Sequence, residues 1–466
     1  MPACLKQGKP FYANLVALAI PIILQNLITN SLGLLDTFMV GMLGEAPMAA
    51  VTLANIPIFV VQLMIFGFQS GGSVLISQHW GKKDTNTINR VMGISFYIAG
   101  AVSLLFAFVM VFFPKPFMGL FSNNAQLVDI AADYARIVGP SYIFNSPTQV
   151  YLGAHRSMGN PRLGLGVLAL SMCSNTLLNY MLIFGKFGAP ALGVVGAAAA
   201  TLTSRIIEFF VTAIYAGCNR RFRLRPSLVL RPGTDMVRRF LHYASPVVLN
   251  ETLWGLGTSL FPTIMGHMAG STEILAAYTL AGNLDKMSTV VIFAVANAAA
   301  ILVGREIGAG ARHERVYSIG SALNLIAFLV GLVVSALMIL FTLTLADPFL
   351  YPIFHLSPEA RRITTMMLLV IFCVMPLRSF NSTNVVGVLR GGGDVRVASL
   401  IDLTPLWLVS LPLAAVAGLV LHMDILVVYL AISLENVVKV FFGIQRFRSG
   451  AWIHDLTQKQ WSKPSK

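Results

Sequence analysis

Twelve stretches of about 20 mostly apolar residues run through this chain. They lie near 13–40, 48–78, 91–113, 125–152, 163–184 and 192–216, then near 237–265, 275–303, 316–345, 359–388, 397–420 and 424–444. A segment of that length crosses the hydrocarbon core of a bilayer as a helix. Lipid offers no partners for backbone N–H and C=O groups, so a spanning segment must bond internally. Composition agrees: 56% of residues are hydrophobic and 11% charged, against about 25% charged in soluble domains. The expectation is an all-α membrane protein of about twelve transmembrane helices.

The twelve stretches divide six and six, and short matches relate the halves. Arg156-Ser157-Met158-Gly159-Asn160-Pro161-Arg162 and Arg390-Gly391-Gly392-Gly393-Asp394-Val395-Arg396 lie 234 positions apart. Each places Arg, a Gly three later, a turn-forming Asn or Asp, and a second Arg between two apolar stretches. At an offset of 225, Pro21 pairs with Pro246 and Gly41 with Gly266. With a small shift, Thr52-Leu53-Ala54 also pairs with Thr279-Leu280-Ala281. Two membrane-embedded halves in the same order suggest a transporter that rocks one lobe against the other around a central site. The expected organisation is an N-terminal lobe over 1–216, a basic cytoplasmic linker over 217–236, and a C-terminal lobe with a cytoplasmic tail over 237–466.

The formal net charge of +14 raises the question of nucleic acid, and its placement answers it. Alternate loops hold most of it: Lys82, Lys83 and Arg90; Arg156 and Arg162; the run from Arg220 to Arg231; Arg305, Arg312 and Arg315; Arg390 and Arg396. Intervening loops offer only Lys115, Lys186, Arg361 and Arg362. This is the positive-inside pattern, and it places both termini in the cytoplasm of a cell (inner or plasma) membrane. Nucleic acid is not an expected partner; membrane lipids are. Cys4, Cys173, Cys218 and Cys373 have no metal spacing and read as packing residues or reduced thiols. The first apolar stretch is too long for a signal-peptide core, so the first helix is expected to stay.

An ionised side chain at mid-membrane costs about 2.5–3.5 kcal/mol on insertion scales, so ionisable residues inside the spans are the candidates for function. They are Asp36, Arg136, Arg205 and Glu208, then Glu251, Asp285, Lys286, Arg378, Asp402, Glu435 and Lys439. Glu208 and Lys439 are expected near span ends, at the interface. Asp36 follows Gln25, Asn26, Thr29, Asn30 and Ser31, a polar run that suits a helix facing a wet cavity. The alternative is an Asp solvated by headgroups at the end of the span. Asn175 and Asn179 lie four apart on one helix face, and each amide oxygen suits a small cation or a carboxyl proton. Gly193, Gly196 and four alanines allow close helix approach that brings Thr201 toward the Asn pair. Together they make a shared cation or proton site, with ordinary interhelical hydrogen bonding as the alternative.

The second half differs. Asp36 aligns with Phe261, and the nearest acid, Glu251, aligns with Asn26. Glu251 follows Pro246 by five residues, with Trp254 a turn away. An acid and an aromatic beside a proline-disrupted turn suit a pocket for an organic cation. The competing reading is a structural ion pair with Lys286 or Arg378.

These residues resemble a known family. Pro21 precedes the polar helix with Asp36, and Asn175-x-x-x-Asn179 leads into Leu182-Ile183-Phe184-Gly185. Gly193-Val194-Val195-Gly196-Ala197-Ala198 precedes Thr201, and Arg390-Gly391-Gly392-Gly393-Asp394 closes the tenth helix. Together they are similar to the multidrug and toxic compound extrusion (MATE) transporters, from about residue 12 to 445. The resemblance implies two six-helix lobes around a central cavity, and export of organic cations or drugs against inward Na⁺ or H⁺. It also implies an N-lobe ion site at Asp36, Asn175, Asn179 and Thr201, with Asn179 standing where many members carry Asp. Asp36 is then the position for Na⁺. Glu251, Trp254 and Asn26 are the candidate substrate contacts. The tenth span has no acid between Glu359 and Asp394, so the carboxylate pair that some members hold on helices seven and ten is not expected.

The leading expectation is therefore a secondary antiporter working as a monomer, with small cationic molecules as cargo and no cofactor beyond the coupling Na⁺ or H⁺. A flippase of lipid-linked sugars is the alternative within transport, and it would need a strongly cationic cavity. No ring of charges suggests a channel. An intramembrane enzyme lacks support: there is no H-E-x-x-H, no G-x-S-x-G and no Walker A sequence.

Overall fold

The structure, a computed structural model, describes residues 7–121, 124–353 and 357–457. Cys4 and the tail residues Lys459, Lys463 and Lys466 lie outside them. The described residues are helical, with one isolated bridge between Gly393 and Ile453. The main helices are α1 Lys9–Gly41, α2 Glu45–Gly81, α3 Thr85–Phe112, α4 Ala125–Val138, α5 Ser141–Ser157, α6 Pro161–Phe184 and α7 Val194–Cys218. They continue as α8 Thr234–Gly266, α9 Ser271–Gly308, α10 His313–Thr344, α11 Pro358–Leu389, α12 Val395–Val420 and α13 Ile425–Arg448. Asp84 caps α3 by accepting from the Thr87 N–H, and Asn124 caps α4 by accepting from Gln126 N–H.

The twelve-span, two-lobe layout expected from the sequence fits this order, with one correction. The fourth span is two helices, α4 and α5, separated at Gly139–Pro140. Pro140 has no N–H to continue the ladder. Gly139 sits against α3 so closely that a Cβ there would lie 2.6 Å from Met110 Cβ. Ten helices are long and apolar enough to cross a membrane among the described residues. The other two spans are the α4–α5 pair and α8, whose 33 residues include Asp235, Arg238, Arg239 and Glu251.

The helices form two compact units. The N-terminal unit holds residues 21–76 and 84–245; the C-terminal unit holds 7–20, 77–83 and 246–457. Besides the short excursion at 77–83, the chain passes from one unit to the other within α1 and within α8, at Pro21 and Pro246, the two prolines that match at the offset of 225. Each proline lacks the N–H that would close the helix to the preceding turn.

Each unit has its own apolar core. In the N-terminal unit Met39, Ala54, Ile65, Phe106, Tyr142 and Ala198 cluster; in the C-terminal unit Phe261, Met265, Ile292, Phe372, Leu406 and Tyr429 do. Between apolar helices in lipid, association depends on close packing of small residues, and the Gly193–Ala200 stretch shows this. A Cβ on Gly196 would lie 2.3 Å from Leu182 O, so α6 and α7 are in backbone contact. The basic segment between α7 and α8 is packed too. Asn89 on α3 accepts from Arg225 N–H at 2.9 Å, the Tyr97 hydroxyl donates to Leu230 O at 2.9 Å, and Phe222 is buried.

The stretch after α13 folds back on the Gly391-Gly392-Gly393 turn. Trp452 is fully buried, stacks on Phe447, and leaves Gly392 no room for a Cβ, which would lie 2.4 Å from its ring. His454 N–H donates to Gly392 O at 2.8 Å, and Leu456 N–H donates to Gln78 Oε1 at 2.8 Å. Arg446 Nε and Asp394 Oδ2 are 2.6 Å apart.

Candidate functional site

In the N-terminal unit, α6 and α7 turn polar stripes toward each other. Ser171, Asn175 and Asn179 recur every four residues on one face of α6, and all three are buried. Thr201, Arg205 and Glu208 share a face of α7 by the same spacing. Asn179 Nδ2 donates to Asp36 Oδ1 at 2.6 Å and to Asn175 Oδ1 at 3.0 Å. Asn179 Oδ1 is buried with no partner among the described residues, although such groups are normally satisfied. One carboxyl oxygen and one amide oxygen without a partner among the described residues thus lie within a single hydrogen-bonded group. That donor set suits Na⁺, which takes hard oxygen ligands, or a proton shared between carboxyl and amide.

Thr201 is in the same unit and bonds the buried Tyr134 hydroxyl of α4. The structure therefore brings Asp36, Asn175 and Asn179 together by hydrogen bonds, whereas Thr201 bonds Tyr134 instead. Tyr134 was not among the expected residues. It lies within a helix of ordinary amphipathic pattern, and only the fold shows that its hydroxyl reaches α7. Among the described residues no cluster of three or more His, Cys, Asp or Glu side chains could hold a metal, so a cation at Asp36 would draw on neutral oxygens.

Glu208 departs from its expected place at the interface. It is 1% exposed and pairs with Arg205 at 2.7 Å, while Ser171 Oγ and Gln149 Nε2 donate to it. Lys439 departs in the same way, buried between Asp402 at 3.0 Å and Glu435 at 3.4 Å. Snorkelling needs an end within reach of water; Glu208 instead pairs with Arg205 on its own helix, and Lys439 with Glu435 on its own helix and Asp402 on α12.

Glu251 lies in the C-terminal unit within a network of charges. Its Oε1 is 2.9 Å from Arg390 Nη1, and Arg390 Nη2 is 3.8 Å from Asp402. Asn250 Nδ2 donates to Asp402 Oδ2 at 3.0 Å. Neither Lys286 nor Arg378 is the partner of Glu251: Lys286 is exposed, and Arg378 Nη1 lies 2.6 Å from Asp285. Trp254 packs against the C-terminal core. Asn26 belongs to the other unit, where it lines a cavity of about 290 Å³ together with Gln25, Arg156, Leu168 and Arg205.

Arg156 and Arg390 are the residues whose placement the sequence concealed. Both counted as loop charges in the positive-inside pattern, yet both occupy the last turn of a helix or its direct continuation, and both project inward. Their recurrence at one offset was the available signal, because a purely topological charge has no need of a fixed position.

Comparison with known proteins agrees with this arrangement. The family model MatE matches twice, over residues 21–181 and 246–416, each match opening at one of the paired prolines. The chain is 25% identical over 440 residues to a probable multidrug resistance protein NorM of Thermotoga maritima, covering 94% of this chain and 92% of that one. It is 26% identical over 419 residues to the multidrug resistance protein MdtK of Yersinia enterocolitica, covering 87% of both. Its fold matches a crystal structure of MATE in the bent conformation with a TM-score of 0.83 and 20% identity, covering 95% of this chain and 97% of that one. The double match, the length of the alignments and the shared fold make this chain a member of the MatE family, a multi-pass membrane transporter and not an enzyme.

Proposed function

We propose that this chain is a secondary active antiporter that expels organic cations or drugs in exchange for Na⁺ or H⁺, with Asp36 as the coupling group. The observation that carries the reading is the Asp36–Asn179 pair: a membrane carboxylate with one amide donor, beside a buried amide oxygen that has no partner among the described residues. Relatives named multidrug resistance proteins support the export of drugs. The placement of basic loops supports a plasma-membrane protein with both termini in the cytoplasm.

The chemistry follows from charge. With Asp36 ionised, Asn179 points its donor at the carboxylate. A proton or Na⁺ removes the net charge, and the amide then has reason to turn its oxygen toward the site. Asn175, one turn earlier on α6, accepts from that same amide, so the change is passed to its neighbour on the helix face. Ion and cargo each weaken the other's binding by the same factor if they favour different arrangements, which is the thermodynamic basis of exchange.

Transport by the purified protein in liposomes tests this, with a fluorescent organic cation and separately imposed Na⁺ and pH gradients. Dye movement driven by one gradient and lost on its collapse is the expected result. Dye movement indifferent to both gradients would overturn the antiport reading.

A further inference from the structure

The two units hold the same arginine in different company. In the C-terminal unit Arg390 is 2% exposed and is held by two carboxylates, Glu251 at 2.9 Å and Asp402 at 3.8 Å. The internal repeat identifies the matching positions in the N-terminal unit. Arg156 precedes Arg390 by 234 residues, and Leu168 precedes Asp402 by the same number. The offset also maps the first residue of α6, Pro161, onto the first of α12, Val395. Asn26 precedes Glu251 by 225 residues, each five beyond its paired proline. The N-terminal unit has therefore kept the arginine and replaced both of its acids, one by an amide and one by a hydrocarbon.

All three matching residues, Asn26, Arg156 and Leu168, line the cavity of about 290 Å³. The remaining cation in its wall, Arg205, is already paired with Glu208 at 2.7 Å. Among the described residues no carboxylate lines this cavity or pairs with Arg156, and the Arg156 guanidinium makes no hydrogen bond. A guanidinium facing a cavity within a membrane protein is costly unless an anion meets it, and a carboxylate meets its planar donors two at a time. Apolar wall residues such as Ile28 and Phe66 offer a place for the body of an organic molecule.

We propose that Arg156 binds the carboxylate of the transported molecule, so that the N-terminal cavity takes carboxylate-bearing organic compounds, zwitterionic or anionic. The ligand carboxylate stands where Glu251 stands beside Arg390. This rests on reading the chain as an exporter and names the class of its cargo.

Equilibrium binding without any ion gradient tests it, using the full chain in phosphatidylcholine nanodiscs. The probes are dansylglycine and its methyl ester, which share a fluorophore and differ in the carboxylate. The acid should bind at least about tenfold tighter than the ester, as expected for one charge-assisted pair. Arg156→Gln should weaken the acid by about the same factor and leave the ester unchanged. Asn26→Glu should also abolish binding of the acid, with a melting temperature equal to or above that of the unaltered protein, because the new carboxylate occupies Arg156 from within.

Absence of acid binding, equal binding of acid and ester, or an unchanged preference in Arg156→Gln would each overturn the proposal. Displacement of the acid by phosphatidylglycerol but not by N-acetylglycine would assign Arg156 to a lipid headgroup and overturn it too. The two readings fail separately. Loss of the acid preference leaves gradient-driven dye transport intact. A chain that prefers the acid but moves no dye under any gradient sinks the antiport reading alone.

Discussion

Asn179 spends both hydrogens of its amide on acceptors, Asp36 Oδ1 at 2.6 Å and Asn175 Oδ1 at 3.0 Å, and leaves its own oxygen buried without a donor among the described residues. An amide in that state is satisfied on one side only, and an incoming cation or proton completes it. Asp36→Asn removes the titration and the fixed charge while nearly keeping the volume. The variant should accumulate in the membrane at normal levels and lose ion-driven dye export. Adding Asn179→Asp returns a carboxylate to the same group and should restore part of the export. Vesicle transport at matched expression checks both; export by Asp36→Asn at the unaltered rate would remove Asp36 from the mechanism.

Glu251→Gln should act on stability. The change leaves the almost fully enclosed Arg390 with only the longer 3.8 Å contact to Asp402, and removing one member of a buried ion pair costs up to about 3–5 kcal/mol. The melting temperature should fall sharply. Glu251→Gln combined with Arg390→Met should recover much of the loss, since the under-compensated cation is gone. A Glu251→Gln protein with an unchanged melting temperature and weakened binding of a cationic dye would instead place Glu251 in a substrate pocket.

Gly196→Ala tests the contact that brings α7 against α6. Its Cβ would fall 2.3 Å from Leu182 O, a backbone atom that cannot rotate away. Separating the helices should cost about 1–3 kcal/mol and shift Thr201 relative to Tyr134. Reduced thermal stability and reduced export, measured on the same preparation, are expected; Gly217→Ala, with open space at its Cβ, is the control and should change neither.

Orientation is checked by labelling single cysteines in a background without the native four. Ser227→Cys and Glu314→Cys replace exposed residues of basic connections, and Lys186→Cys replaces one of the opposite set. A membrane-impermeant maleimide applied to intact cells should label the Lys186→Cys protein alone. Gly391 is unsuitable for this purpose, because a Cβ there would meet Ala300 Cα at 2.9 Å.

Much of the helix order was legible because lipid enforces a simple rule: long apolar runs bond internally and become helices. Asp36, Asn175 and Asn179 stood out for the same reason, as polar groups where polarity is expensive. What the sequence hid was pairing. Glu251 has several cations within plausible reach along the chain, and nothing in its neighbourhood favours Arg390, 139 residues away. Glu208 and Lys439 lie near the ends of apolar runs, where solvent exposure is the ordinary expectation, and only the neighbouring helices show them enclosed. The break at Gly139–Pro140 was visible as a residue pair, but a proline inside a helix is no certain stop, as Pro147 and Pro376 show by remaining within α5 and α11.

The crossing of the chain at Pro21 and Pro246 has a consequence for how the protein is made. A gene cut within the segment 217–233 would give two polypeptides, and neither would encode a whole unit. The first would carry residues 7–20 and 77–83, which pack in the C-terminal unit; the second would carry 234–245, which pack in the N-terminal one. Each fragment would emerge from synthesis with turns of helix that have no place in its own core. Separate expression should yield unstable pieces, and co-expression should rescue both. Each unit is thus completed by helix turns encoded in the other half of the sequence.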